Sequence, residues 1–150
     1  MDAIEEHVSD WWALYDLALT ANCCIVMMSR RMDRLYFAPV GNNEAPVTPL
    51  SVNAARNTLE LALLSLKKYS TSAMASYLFS AFQCYVPYNY FAKHLLTSNP
   101  KNLSCGSSDM ALLDQIAERI SSIARQDQDL LPLSEAFQEL NSIVHSHWVQ

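Results

Sequence analysis

The chain has 150 residues, a formal charge of −5 and a hydrophobic content of 51%, which supports one core and is too short for two comfortable domains. That acidic balance opposes a broad electrostatic hold on phosphates, so direct nucleic-acid binding by this chain alone is not expected. Its two glycines, Gly41 and Gly106, form neither G-x-G-x-x-G nor G-x-x-x-x-G-K-[ST], which leaves no phosphate-cradling loop.

Along the chain, apolar residues recur at helical intervals and no sustained alternation marks a strand, so the class is all-α. The spacing predicts a first helix from Ile4 or Ser9 to Arg31, with Ser9 or Asp10 as an internal cap before Trp11. It is apolar nearly all round and is therefore expected to lie deep against several neighbours. Asp16, Thr20 and Asn22 interrupt it. A charge at mid-span costs about 2.5–3.5 kcal/mol on insertion scales, so the segment reads as a core helix and no membrane partner is expected. Residues 32–49 contain Pro39, Gly41, Asn42, Asn43, Pro46 and Pro49, a cluster that opposes regular structure.

Residues 51–68 are predicted as the second helix, capped by Ser51, with Val52, Ala55, Leu59, Ala62, Leu63 and Leu66 on one stripe and Lys67 and Lys68 at the negative end of its dipole. A third, residues 72–85, places Met74, Tyr77, Leu78, Ala81, Phe82 and Tyr85 on one face. Pro87 removes a backbone donor and disfavours helical geometry at Val86, so the chain is expected to break there and restart as a fourth helix, giving a proline-broken hairpin. In that helix Tyr88, Phe91, Ala92 and Leu95 share a face, and Asn99 and Pro100 end it.

Ser108 is the expected cap of the fifth helix, with Asp109 at its positive end. Leu112, Leu113, Ile116, Ala117, Ile120 and Ile123 form its apolar stripe, and Asp114, Gln115, Glu118, Arg119 and Ser122 its wet face. The last helix starts near Pro132 and carries Leu133, Ala136, Phe137, Leu140, Ile143, Val144 and Trp148 inward. These elements predict a single bundle of about six helices over residues 1–150.

Candidate chemistry is sparse. Cys23, Cys24, Cys84 and Cys105 lack the C-x2-C spacing of a zinc site and read as thiols of a reducing, intracellular protein. Asp2, Glu5, Glu6 and Asp10 stand where a secretion signal has its basic start. His145 and His147 point about 200° apart on a helix and cannot share one metal, while His7 and His94 have no ligand partner at the right spacing. Asp127 and Asp129 read as solvated turn residues. No nucleophile elbow, H-E-x-x-H or paired-carboxylate motif occurs, so no catalytic residue, metal or cofactor is expected. Two groups remain as candidates. Tyr85, Tyr88, Tyr90 and Phe91 surround the break at Pro87 and offer apolar area with hydroxyl handles, either as a small-molecule pocket or as ordinary core. Arg30, Arg31 and Arg34 form the one local basic cluster, suited either to an acidic partner or to a helix C-terminus.

The order of residues 12–31, 51–66, Tyr85 to Pro87, Ser98 to Pro100 and Ser108 to Leu113 resembles the C-terminal part of the regulatory (middle homology) domain of fungal zinc-cluster transcription factors, best over residues 51–148. The six-cysteine DNA-binding segment of that family is absent from this sequence. The resemblance implies a noncatalytic helical module in transcriptional control, acting on fungal metabolic genes through a protein partner, a homodimer or a small-molecule effector. It implies a nuclear location; without it the expectation is cytoplasmic. The competing expectation is a small-molecule-binding protein or enzyme of a fungal metabolic gene cluster that uses the aromatics around Pro87.

Overall fold

The computed structural model describes residues 2–36, 48–80, 83–98 and 103–149, with side chains described at 11–31, 48–79, 83–98 and 107–148. Six α-helices and one 3-10 turn follow in order: α1 (Asp2–Tyr36), α2 (Pro49–Lys68), α3 (Ser72–Ser80), α4 (Tyr85–Thr97), α5 (Leu103–Ala124), the turn Gln128–Leu130 and α6 (Leu131–Val149). Among the described residues there is no strand. The all-α bundle expected from periodicity is the fold.

The centre of the bundle is α2, which packs against α1 on one side and α4 and α5 on the other, while α6 covers α5 and α4. All six residues of its expected stripe are buried. Its start differs from expectation. Thr48 is the cap, its hydroxyl accepting from the Ser51 amide at 3.4 Å, and Pro49 opens the helix where a missing N–H costs nothing. Ser51 is thereby a buried helical residue, its hydroxyl 2.6 Å from that of Tyr90.

The α3–α4 hairpin breaks earlier than Pro87. Gln83 and Cys84 form the turn, the Cys84 amide donating to the Leu78 carbonyl at 3.1 Å and the Cys84 carbonyl accepting from Tyr88 at 2.9 Å. Pro87 sits in the first turn of α4, where amides have no intrahelical acceptor, so it is accommodated without a kink. In α3 the buried residues are Ala75, Leu78 and Phe79, and Tyr77 and Tyr85 are exposed, contrary to the expected face. Ala81 and Phe82 lie outside the described residues. Tyr88, Phe91, Ala92 and Leu95 of α4 are buried together as expected.

The start of α5 also lies earlier than expected, placing Ser108 and Asp109 inside the helix. Asp109 is buried and receives two bonds from Arg56, Nε to Oδ1 at 3.0 Å and a terminal nitrogen to Oδ2 at 2.8 Å. A bidentate guanidinium, rather than a helix dipole, balances its charge. The six stripe residues of α5 are buried. On α6 the buried set is narrower than predicted: Phe137 and Val144 are buried with Ser134 and Asn141, while Ala136 and Ile143 face outward. The 3-10 turn is capped by Asp127, which accepts from the Asp129 amide at 3.1 Å.

The largest departure concerns α1. With 35 residues it is about 50 Å long, against 20 residues in α2, and it runs unbroken through Ser9 and Asp10 and past Arg31. It lies at the edge of the bundle and packs on α2 and α4. One face, with Tyr15, Leu19, Cys23 and Val26, is buried; the opposite face, with Leu14, Leu17 and Met28, is exposed. The expectation of deep burial fails because one neighbouring layer covers only one side of a helix.

Candidate functional site

Three features carry the chemistry of the described residues: the rings around Pro87, a polar chain between α5 and α6, and the outward face of α1. The four rings do not converge on one space. Tyr88 is fully buried and stacks on Phe137 with centroids 3.8 Å apart, and exposed Tyr85 lies over the same ring at 6.4 Å. Tyr90 turns instead toward Ser51 at the start of α2, and Phe91 lies under the guanidinium of Arg56 at 5.5 Å. Each hydroxyl on the buried rings is engaged inside the chain. Helical spacing sends successive aromatics to different neighbours, so α4 uses them to join α2, α5 and α6.

From Tyr88 a chain of polar contacts leads outward. Its hydroxyl donates to Asn141 Oδ1 at 2.7 Å, with the Leu113 carbonyl at 3.3 Å; Asn141 Nδ2 donates to Asp114 Oδ1 at 3.1 Å; and His145 Nε2 lies 2.9 Å from Asp114 Oδ2. Burial pushes the Tyr88 hydroxyl well above the usual tyrosine range, against the opposing hydrogen bond to Asn141. An imidazole held by a carboxylate is the base half of a hydrolytic triad. Here no hydroxyl or thiol among the described residues bonds that imidazole, and the pair closes the α5/α6 seam. This chain was missed in the sequence, although Asn141 interrupting the apolar positions of α6, with His145 one turn on, was a visible signal.

On the far side, α1 is fastened to α2 by Tyr15, whose hydroxyl donates to the Leu61 carbonyl at 3.1 Å and accepts from Ser65 at 2.6 Å. Burial lifts that hydroxyl to about 12. Tyr77 of α3 donates to Asp16, whose carboxylate, ahead of burial, lifts the Tyr77 hydroxyl to about 12. Lys68 lies over Trp11 at 5.1 Å. The outward face carries Leu14, Leu17, Ala21, Cys24 and Met28 at alternating steps of three and four. All five are exposed, Leu14 by 66%, Leu17 by 64% and Met28 by 67%. Sequence reasoning missed this stripe because the covered side of α1 is equally apolar, which leaves no contrast for periodicity to detect.

Arg30 and Arg31 are exposed on α1, and the side chain of Arg34 lies outside the described residues. Since α1 continues to Tyr36, Arg31 does not end the helix as expected. Cys24 is exposed, Cys23 and Cys84 are buried, and the side chain of Cys105 lies outside the described residues. Among the described residues no group of three or more His, Cys, Asp or Glu is placed to hold a metal. One stretch of α1, Trp11–Arg31, is long and apolar enough to cross a membrane by length and composition, with mean hydropathy 1.3. Comparison of the chain with family models, curated proteins and solved structures returns no match.

Proposed function

We propose that this chain is a noncatalytic helical interaction module that works by presenting the outward face of α1 to a protein partner, in transcriptional control as the sequence resemblance implies. The observation that carries the reading is the unbroken exposure of Leu14, Leu17 and Met28 on one side of a helix whose other side is buried. A contiguous apolar face of this kind favours association, because covering it removes apolar surface from water. Control of fungal metabolic genes and a nuclear location belong to the same proposal and rest on the resemblance.

The aromatics around Pro87 support this reading over a ligand pocket, since the hydroxyls of Tyr88 and Tyr90 already bond Asn141 and Ser51. The test is to fuse the chain to an unrelated DNA-binding domain at a reporter promoter. Reporter output should change, and Leu14→Glu with Leu17→Glu should abolish the change without lowering the amount of protein. No change with the unaltered chain, or a change that survives both substitutions, would refute the reading.

A further inference from the structure

Resting on that reading, we infer that the partner of α1 is a second copy of this chain, its α1 packed antiparallel against the first about a two-fold axis near Ala21. The steps of three and four that separate Leu14, Leu17, Ala21, Cys24 and Met28 are the spacing that keeps one seam of a helix facing another helix. Ala21, at the middle, lets two backbones approach closely. Leu14 and Met28 then meet on either side of it, and Leu17 meets Cys24, so one patch is complementary to itself, as a two-fold interface requires.

Charge selects the direction. By sequence the first part of α1 carries four acids, Asp2, Glu5, Glu6 and Asp10, and its last part three arginines, Arg30, Arg31 and Arg34, against one acid, Asp33. Parallel packing would set the acidic ends side by side, whereas antiparallel packing sets each against a basic end and opposes the two helix dipoles. Leu14, Leu17, Met28 and, at the flank, Met27 are each more than half exposed, so pairing two copies would withdraw four large apolar side chains per copy from water.

A lipid surface fits less well. Interfacial helices pair an apolar face with lysines and arginines that meet anionic headgroups, while this chain carries a net charge of −5 and Asp16 within the apolar stretch. The buried side of α1 is already occupied by α2, whose Lys68 lies over the Trp11 ring while Lys67 reaches Gln115 of α5 instead.

Sedimentation of the full chain tests the inference. A dimer is expected at micromolar concentration, and Leu17→Glu or Met28→Glu should weaken it at least about a hundredfold with unchanged helicity, while Ile143→Glu on the exposed side of α6 should not. In a Cys24→Ser background, the double variant Leu14→Cys/Met28→Cys should cross-link under oxidised glutathione and either single variant should not. A monomer that still takes up an anilinonaphthalene dye, uptake lost in Leu17→Glu, would overturn the second copy yet leave an exposed protein-binding face. A monomer with no such uptake would overturn both readings. Cross-linking by Leu14→Cys alone would overturn the antiparallel arrangement, and a monomer that binds anionic vesicles through α1 would replace the second copy with a membrane.

Discussion

Replacing Tyr88 by Phe removes one oxygen from the middle of the bundle and leaves the ring stacked on Phe137. What is lost is the donor to Asn141 Oδ1, at 2.7 Å, in a residue that is 6% exposed. A net hydrogen bond contributes about 1 kcal/mol, and stranding a buried acceptor costs about 1–3 kcal/mol, so the expected destabilisation is about 2 kcal/mol. Taking a urea slope of about 2 kcal/mol per molar for a domain of this size, the midpoint falls by about 1 M. The second arm is Tyr88→Phe/Asn141→Leu. Removing both partners leaves no stranded acceptor, and Asp114 keeps its contact with His145, so the double variant should be more stable than the sum of the single losses predicts. Urea unfolding followed by circular dichroism measures all four proteins. A shift below about 0.2 M for Tyr88→Phe, or strictly additive losses, would refute the claim that this hydroxyl holds α4 to α6.

Three further outcomes follow from the same structure. Tyr15 and Tyr77 both have hydroxyls lifted to about 12, so the fold favours their neutral forms; that contribution is complete below pH 10 and is lost as pH rises from about 10 to 12. Tyr15→Phe should lower the urea midpoint at pH 9 but flatten its further fall by pH 11.5, and an unchanged fall would show that Tyr15 does not contribute. Burial pushes His94 below the usual histidine range, opposed by Asp109 and aided by Arg56, so its contribution is complete above pH ~6.5 and is lost on acidification. His94→Gln should therefore lose less stability between pH 7.5 and 5 than the unaltered chain, and an equal loss would contradict this. In dilute Cys105→Ser protein, exposed Cys24 should react with a thiol reagent first, while Cys23 and Cys84, both pushed up by burial, should react only on unfolding; rapid titration of all three would place the buried thiols at the surface.

The candidate residues separate into what spacing could reveal and what it could not. Periodicity put Tyr88 and Phe91 on the inner face of α4, and they are there, but it could not say that Tyr88 meets Phe137 and Asn141 while Phe91 meets Arg56. Those partners lie on α6 and α2, far away in sequence, and no local rule links them. Asp109 shows the same limit. An acidic residue after two serines has the form of a helix start, yet Arg56, far upstream in α2, reaches it and takes over its charge.

Taken alone, the sequence determined the helical class and the buried faces of α2, α4 and α5, because a helix with one apolar stripe has one economical way to remove it from water. It also determined that the α3–α4 segment would be interrupted near Pro87, since backbone geometry there is a local property. Only the tertiary structure decided which side of α1 is covered. A helix apolar all round carries no preference in its own sequence; α2 and α4 reach one side of it, and among the described residues no helix covers the stripe from Leu14 to Met28.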